Sequence, residues 1–115
     1  MVRENKLSNK EFESLIAKAM ASIPEKFRIF LENVVVMTED EPPKDMPDVM
    51  GLYEGVPLVD RSIDDSLLPD CITLYKGPIE RTCNTPAEIE VEIRLTILHE
   101  VGHFFGLEES QLEQL

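Results

Sequence analysis

Residues 85–106 leave little choice of local structure, because their apolar residues repeat with the period of one buried helix face. Thr85 stands in an N-cap position, Pro86 follows in the first helical position, and Glu88 can reach back to the cap. Gly106 is a typical helix stop. The sequence therefore predicts a helix that runs to about Phe105 and is buried against a sheet. The apolar row of this helix consists of Ile89, Ile93, Ile97 and Val101.

The chain's two histidines lie near the end of this helix, four residues apart around a glutamate, as His99-Glu100-Val101-Gly102-His103. Side chains four apart project from one helix face, one turn apart. Two neutral imidazoles there can bind one zinc ion, and a catalytic zinc site adds a third protein ligand and a water whose pKa falls to ~7. The pattern predicts His99 and His103 as metal ligands and Glu100 as the base for that water. The alternative is a chance meeting of these residues on an ordinary amphipathic helix.

Two further helices are predicted near the N terminus. Ser8-Asn9-Lys10-Glu11 is a capping box, and the apolar spacing after it predicts a helix from about Asn9 to Ala21. A second helix-start signal follows, with Pro24 in the first turn, and it predicts a short second helix. The apolar residues of both helices are assigned to the core: Phe12, Leu15, Ile16, Ala19, Met20, Ile23, Phe27, Phe30 and Leu31.

Three strands are predicted between these helices. The β-branched run at residues 34–38 suits a buried strand, and residues 50–58, with two glycines and a proline, suit an irregular or edge strand. Residues 71–76 alternate like a half-buried strand that Gly77-Pro78 closes, whereas the acidic, proline-rich residues 39–48 predict a surface loop. Four aspartates lack the glycine and terminal glutamate of a calcium loop and are interpreted as solvated charge: Asp60, Asp64, Asp65 and Asp70.

A length of 115 residues with 43% hydrophobic residues predicts a single domain over residues 1–115. The formal net charge of -12 opposes binding to nucleic acid and to anionic membrane surfaces, so neither is an expected partner. No apolar run has the length of a signal peptide or of a membrane span, and a cytoplasmic location is expected. Cys71 and Cys83 are expected to be reduced thiols.

The order of these pieces resembles that of the small zincin-like metallopeptidases of bacteria. The specific stretches are residues 51–58, residues 69–75, and the motif helix with Phe105-Gly106-Leu107. The resemblance implies an α+β fold, a small zincin-like domain in which the long motif-bearing helix packs on a small mixed β-sheet with N-terminal helices. It also implies a zinc-dependent hydrolase.

The resemblance assigns the site residues by position. His99 and His103 match the ligands of a zinc (Zn2+) ion, and Glu100 matches the general base. Members of the family often carry a further histidine where this chain has Phe104. An adjacent helical position points about 100° away, so this difference removes no ligand.

The third protein ligand has to come from beyond the helix. Continued as helix, Glu109 would lie about 9 Å along the axis past the second histidine, too far to share an ion with both. Gly106 permits the chain to bend, and the count of residues resembles the longer metzincin signature, which selects Glu109. Glu108 is the alternative and Glu113 a weaker candidate, and a solvated acidic tail is the remaining interpretation. Imidazole and carboxylate ligands also accept divalent ions other than zinc.

Two functions compete at this stage. The first is a zinc metallopeptidase whose peptide or protein substrate lies along the edge at residues 52–58, with Tyr53 or Tyr75 as candidates to stabilise the oxyanion. The second is a non-catalytic metal-binding module that keeps the zincin fold and binds a peptide or protein partner. Zinc-dependent cleavage of peptides distinguishes the two.

Overall fold

The structure is a computed structural model that describes residues 7–55 and 69–106. It confirms the predicted α+β class. In these two ranges, no helix has the length and apolar character required to cross a membrane. The elements in chain order are α1 (Asn9–Ala21), α2 (Glu25–Arg28), a 3₁₀ turn (Ile29–Leu31), β1 (Val34–Glu39), β2 (Gly51–Glu54), β3 (Asp70–Tyr75), α3 (Lys76–Thr82) and α4 (Pro86–Phe105).

The three strands form one small mixed sheet in the order β1-β3-β2. β1 pairs with β3 in parallel, with Val34 opposite Asp70. β2 pairs with β3 antiparallel, with Tyr53 opposite Ile72. β3 is therefore the central strand. Among the described residues, β2 pairs with another strand on one side only.

The burial of two strands is the reverse of what their sequences predict. β1 was expected to be buried, but its residues alternate between half-buried and exposed, and Val35 and Met37 are 44% and 53% exposed. β3 was expected to be half-buried, but Ile72 and Leu74 are inaccessible and Thr73 is 8% exposed. The reason is position in the sheet, because β3 has a neighbouring strand on each side, whereas β1 has one among the described residues.

The helix signals near the ends of the chain are confirmed. Ser8 Oγ accepts a hydrogen bond from the Glu11 amide at 3.1 Å, and the Ser8 amide donates to Glu11 Oε1 at 3.0 Å. α1 spans the predicted residues. The prediction failed at α3, since Gly77-Pro78 was interpreted as the close of a strand although the helix already begins at Lys76. Proline is well suited to the first turn of a helix, and here it marks a start.

The predicted strand at residues 50–58 is shorter in the structure. β2 covers Gly51–Glu54, and residues 56–58 lie outside the described ranges. The loop before β2 is tied to α3, because Arg81 donates to both carboxylate oxygens of Glu41 at 2.8 and 3.0 Å. Cys71 and Cys83 are both reduced and form no disulfide, as expected, and burial raises the pKa of the Cys83 thiol.

The core lies along α4, which packs against α1 and the sheet. The predicted apolar row of α4 is fully buried: Ile89, Ile93 and Ile97 at 0% and Val101 at 2% exposed. α1 contributes Phe12 and Ala19, at 1% and 0% exposed. On the sheet side, β2 and α4 lie very close together, because a Cβ atom at Gly51 would lie 2.6 Å from Thr96 Cγ2. This glycine lets β2 lie directly against the helix that carries the two histidines.

Candidate metal centre

The motif lies on the last two turns of a helix whose two ends are fixed by local sequence. At the start, Thr85 Oγ1 accepts a hydrogen bond from the Glu88 amide at 3.2 Å, and Pro86 opens the first turn. At the end, Gly106 has φ 71° in the left-handed region and its amide donates to carbonyls of the last turn. Few residues other than glycine adopt that backbone conformation at low cost, so the helix ends directly after Phe105.

His99 and His103 face the same side of α4, one turn apart. Their ring centroids are 6.3 Å apart and their planes differ by only 8°. Both side chains are exposed. Two accessible imidazoles in this arrangement fit the donor chemistry of zinc, because neutral imidazole nitrogen is one of its preferred ligands.

Glu100 projects toward the sheet, on the neighbouring row of the helix. Its Oε1 atom accepts a hydrogen bond from the Tyr53 backbone amide at 3.0 Å. The backbone N–H and C=O groups of alternate residues along β2 point toward β3. Met50, directly before β2, is one of these residues, because its carbonyl accepts a hydrogen bond from the Tyr75 amide. Tyr53 is three positions further on, so its amide points away from β3. Glu100 therefore lies at the outer edge of β2, beside the two histidines.

Tyr53 is held at both its backbone and its side chain. Its hydroxyl donates to Asp70 Oδ2 at 2.7 Å, and its ring stacks on Phe104 with centroids 4.0 Å apart. The interpretation of Asp70 as solvated loop charge was wrong, because Asp70 is the first residue of β3, is half-buried and accepts this hydrogen bond. The reason is its position opposite the end of β2, which the sequence does not reveal. The other acids so interpreted, Asp60, Asp64 and Asp65, lie outside the described ranges.

The two tyrosines considered as oxyanion stabilisers have different surroundings. Tyr53 lies beside the motif and contacts Glu100 through its amide. Tyr75 lies at the other end of β3 and is 3% exposed, and burial raises the pKa of its phenol. Sequence reasoning missed Asp70 and Phe104 as the residues that fix Tyr53, because only the fold brings them together.

The predicted third ligand, Glu109, lies outside the described ranges, as do its alternatives Glu108 and Glu113. Within residues 7–55 and 69–106, no three histidine, cysteine or acidic residues are grouped closely enough to hold a metal ion. The described residues place His99 and His103 on one face of α4 and Glu100 on the neighbouring row, and Glu109 remains a prediction.

Comparisons with known proteins agree with this architecture. The profile of a family described as zincin-like metallopeptidase matches residues 31–115, which is more than half of the chain. Among solved structures, the chain is similar to a conserved hypothetical protein from Thermus thermophilus, with 26% identity and a TM-score of 0.58 over 94% of this chain and 100% of that one. A search among curated proteins found no match. By the family match and the mixed sheet under a long helix, the chain belongs to the zincin-like metallopeptidase family.

Proposed function

We propose that this protein is a zinc-dependent metallopeptidase that hydrolyses peptide bonds with a metal-activated water. The observation that carries the proposal is the pair of exposed, nearly parallel imidazoles of His99 and His103, one turn apart and beside Glu100. In a member of the zincin-like family, this arrangement matches the donors and the base that such a reaction requires. His99, His103 and Glu109 would hold the ion.

Metal activation of the water and proton transfer would fall to different residues of the chain. When bound, zinc would lower the pKa of a water and polarise the carbonyl of the scissile bond. Glu100 takes the proton from the attacking water and delivers it to the departing amine. Because Glu100 Oε1 accepts from the Tyr53 amide, we assign the proton transfer to Oε2. The hydrogen bond restricts the carboxylate to one orientation, which reduces the cost of positioning it for each turnover.

The proposed substrate is a peptide or protein segment in extended conformation, lying along the outer edge of β2. Extended peptides add to open strand edges through main-chain hydrogen bonds. The Tyr53 amide already donates to Glu100, so the peptide has to pair with neighbouring positions of this edge. The scissile bond would then lie between the edge and the two histidines that would hold the metal ion, within reach of Glu100.

The experiment is cleavage of a peptide library by zinc-loaded protein purified free of other proteases. Glu100→Gln, purified in the same way, controls for contaminating peptidases. We expect zinc-dependent cleavage by the parent protein and none by Glu100→Gln. Equal cleavage by both proteins, or none by a parent protein that binds zinc, contradicts a peptidase function.

A non-catalytic metal-binding module is the second candidate function. The observation that favours it is the hydrogen bond between Glu100 and Tyr53, which gives the glutamate a structural task that needs no turnover. In that case the zinc-loaded protein binds a peptide or protein partner tightly and leaves it intact. Intact peptide recovered from a stable complex supports this function.

A further inference from the structure

Four aromatic side chains at the end of α4 form a continuous group of ring contacts, which we call the ring cluster: Phe30, Tyr53, Phe104 and Phe105. Tyr53 stacks on Phe104 with centroids 4.0 Å apart and meets Phe105 edge-on at 6.1 Å. Phe104 and Phe105 are 5.1 Å apart, and Phe30 and Phe105 are also 5.1 Å apart. The three separations that involve Phe105 lie in the range of about 4.5–7 Å that aromatic pairs prefer, and the Tyr53–Phe104 stack is closer. The cluster therefore joins the 3₁₀ turn, β2 and α4.

Two rings of the cluster are accessible to solvent. Phe104 and Phe105 are 50% and 43% exposed, whereas Phe30 and Tyr53 are half-buried. A single exposed apolar residue needs no explanation, since most protein surfaces contain some. Contiguous exposed rings are different, because such patches usually mark a binding surface.

The position of the cluster relates it to the proposed site. Glu100 and Phe104 are four residues apart and form one row of α4, while His99 and His103 form the adjacent row. Both members of the first row contact Tyr53, Glu100 at the amide and Phe104 at the ring. A peptide on the outer edge of β2 with its scissile bond at the histidines would thus have a side chain over these rings.

We propose that the ring cluster is a subsite for a large apolar side chain, aromatic or leucine-like, of the peptide substrate. The inference rests on the proposed function, since it names the substrate class for that same site. The cluster offers ring faces and edges, which attract aromatic and aliphatic groups. Exposed Glu54 and the carboxylate of Asp70 lie at the same end of β2, so an acidic side chain is disfavoured. A neutral, bulky side chain fits both conditions.

Binding tests the subsite without depending on turnover. The probes are acetyl-Ala-Ala-Xaa-Ala-Ala-amide peptides in which Xaa is Phe, Leu, Ala or Glu. Their affinity for the Glu100→Gln protein is measured by NMR titration, with and without zinc. We expect the Phe and Leu peptides to bind about tenfold more tightly than the Ala peptide, and the Glu peptide to bind most weakly.

Substitutions in α4 locate the effect. Phe105→Ala should bring the Phe and Ala peptides to within about threefold of each other, while Phe105→Leu should keep most of the preference. Leu95→Ala is the matched control, because Leu95 is an exposed apolar residue of the same helix, 39% accessible, and lies outside the cluster. Circular dichroism and thermal unfolding identify any variant that has lost its fold, and the comparison of the Phe and Ala peptides on Glu100→Gln then carries the test.

The outcomes separate the subsite from the proposed function. A preference for Phe that Phe105→Ala removes supports the subsite, even if the parent protein cleaves nothing. Equal affinity for Phe and Ala peptides overturns it, even if the parent protein is a peptidase. A third outcome is that the protein shows no preference among the peptides but forms a dimer that Phe105→Ala abolishes. That result assigns the ring cluster to contact between two copies of this chain and also overturns the subsite.

Discussion

The carboxylate of Glu100 accepts a hydrogen bond from the backbone amide of Tyr53, with 3.0 Å between Oε1 and the nitrogen. This hydrogen bond fixes the proposed catalytic base to β2, the strand along which a substrate would lie. One residue has a structural and a proposed chemical role, and the two roles need different atoms. Substitutions at this position can therefore separate stability from catalysis.

Glu100→Gln should retain zinc and stability but lose hydrolysis. The amide oxygen still accepts from the Tyr53 amide, whereas a glutamine cannot take the proton of the water. Glu100→Ala removes the acceptor and should lower the free energy of unfolding by ~1 kcal/mol. Chemical denaturation of both variants, together with metal analysis, checks this. A Glu100→Gln protein with full activity would exclude the glutamate as the base.

His99→Ala and His103→Ala should each abolish tight zinc binding. Each substitution removes one of two imidazoles that lie on the same face of α4, and one remaining histidine cannot hold the ion with useful affinity. Both positions are exposed, so the fold should remain stable. Calorimetric zinc titration of protein that has never contacted an affinity-tag metal measures the effect. Undiminished affinity in the double variant would refute the metal site.

Glu109→Ala should weaken zinc binding more than Glu108→Ala. Helix α4 ends at Gly106, where the positive φ turns the chain away from the helix axis, as a third ligand from beyond the helix requires. Zinc affinity is measured for each variant under one set of buffer conditions. The assignment fails if Glu109→Ala binds zinc as the parent does while Glu108→Ala does not.

Gly51→Ala should destabilise the fold by about 1–3 kcal/mol, because the added Cβ would lie 2.6 Å from Thr96 Cγ2 and 3.3 Å from the Thr73 carbonyl oxygen. The contact with Thr96 can be relieved separately. Thr96→Ser removes the methyl group, so the double variant should recover part of the loss. Urea unfolding of the single and double variants measures the coupling. Additive losses would mean that the helix and the strand do not meet at this point.

Glu41→Gln should reduce the loss of stability at acid pH. The hydrogen bond from Arg81 lowers the pKa of Glu41 in the folded protein. A carboxyl group with a lowered folded pKa stabilises the fold at pH values above its unfolded pKa, and that contribution disappears as the pH falls through the folded pKa. The effect should be small, since the pair is exposed to solvent. Unfolding curves at neutral and acid pH, with the exposed Glu32→Gln as control, measure it.

The sequence predicted those elements whose causes are local. The cap at Thr85, the stop at Gly106 and the capping box at Ser8 each satisfy or redirect neighbouring backbone groups, and all three were found where expected. Helix geometry alone predicts that His99 and His103 face the same side of α4. The part of the candidate site that could be predicted is therefore the part contained in one helix.

The elements that the sequence did not predict depend on distant neighbours. Nothing in residues 34–38 shows that β1 pairs with one described strand, and nothing in residues 71–76 shows that β3 pairs with two. The burial predicted for these strands was therefore the reverse of the burial found. The contact of Asp70 with the Tyr53 hydroxyl likewise joins residues far apart in the chain. Such contacts are set by strand order, which local periodicity does not encode.

The parallel pairing of β1 and β3 has a consequence for how the protein reaches its folded state. Val34 can pair with Asp70 only after the intervening chain, which includes β2, has formed a loop. Closing a long loop costs conformational entropy before any stabilising contact forms. Pairings between such distant residues slow folding, whereas a helix such as α4 can form from local contacts. The contact between Tyr53 and Glu100 also joins residues far apart in the chain, so the two histidines should face one side of a helix before β2 reaches Glu100. We therefore expect zinc added during refolding to meet the two histidines early, and Glu100 to be fixed beside them only later.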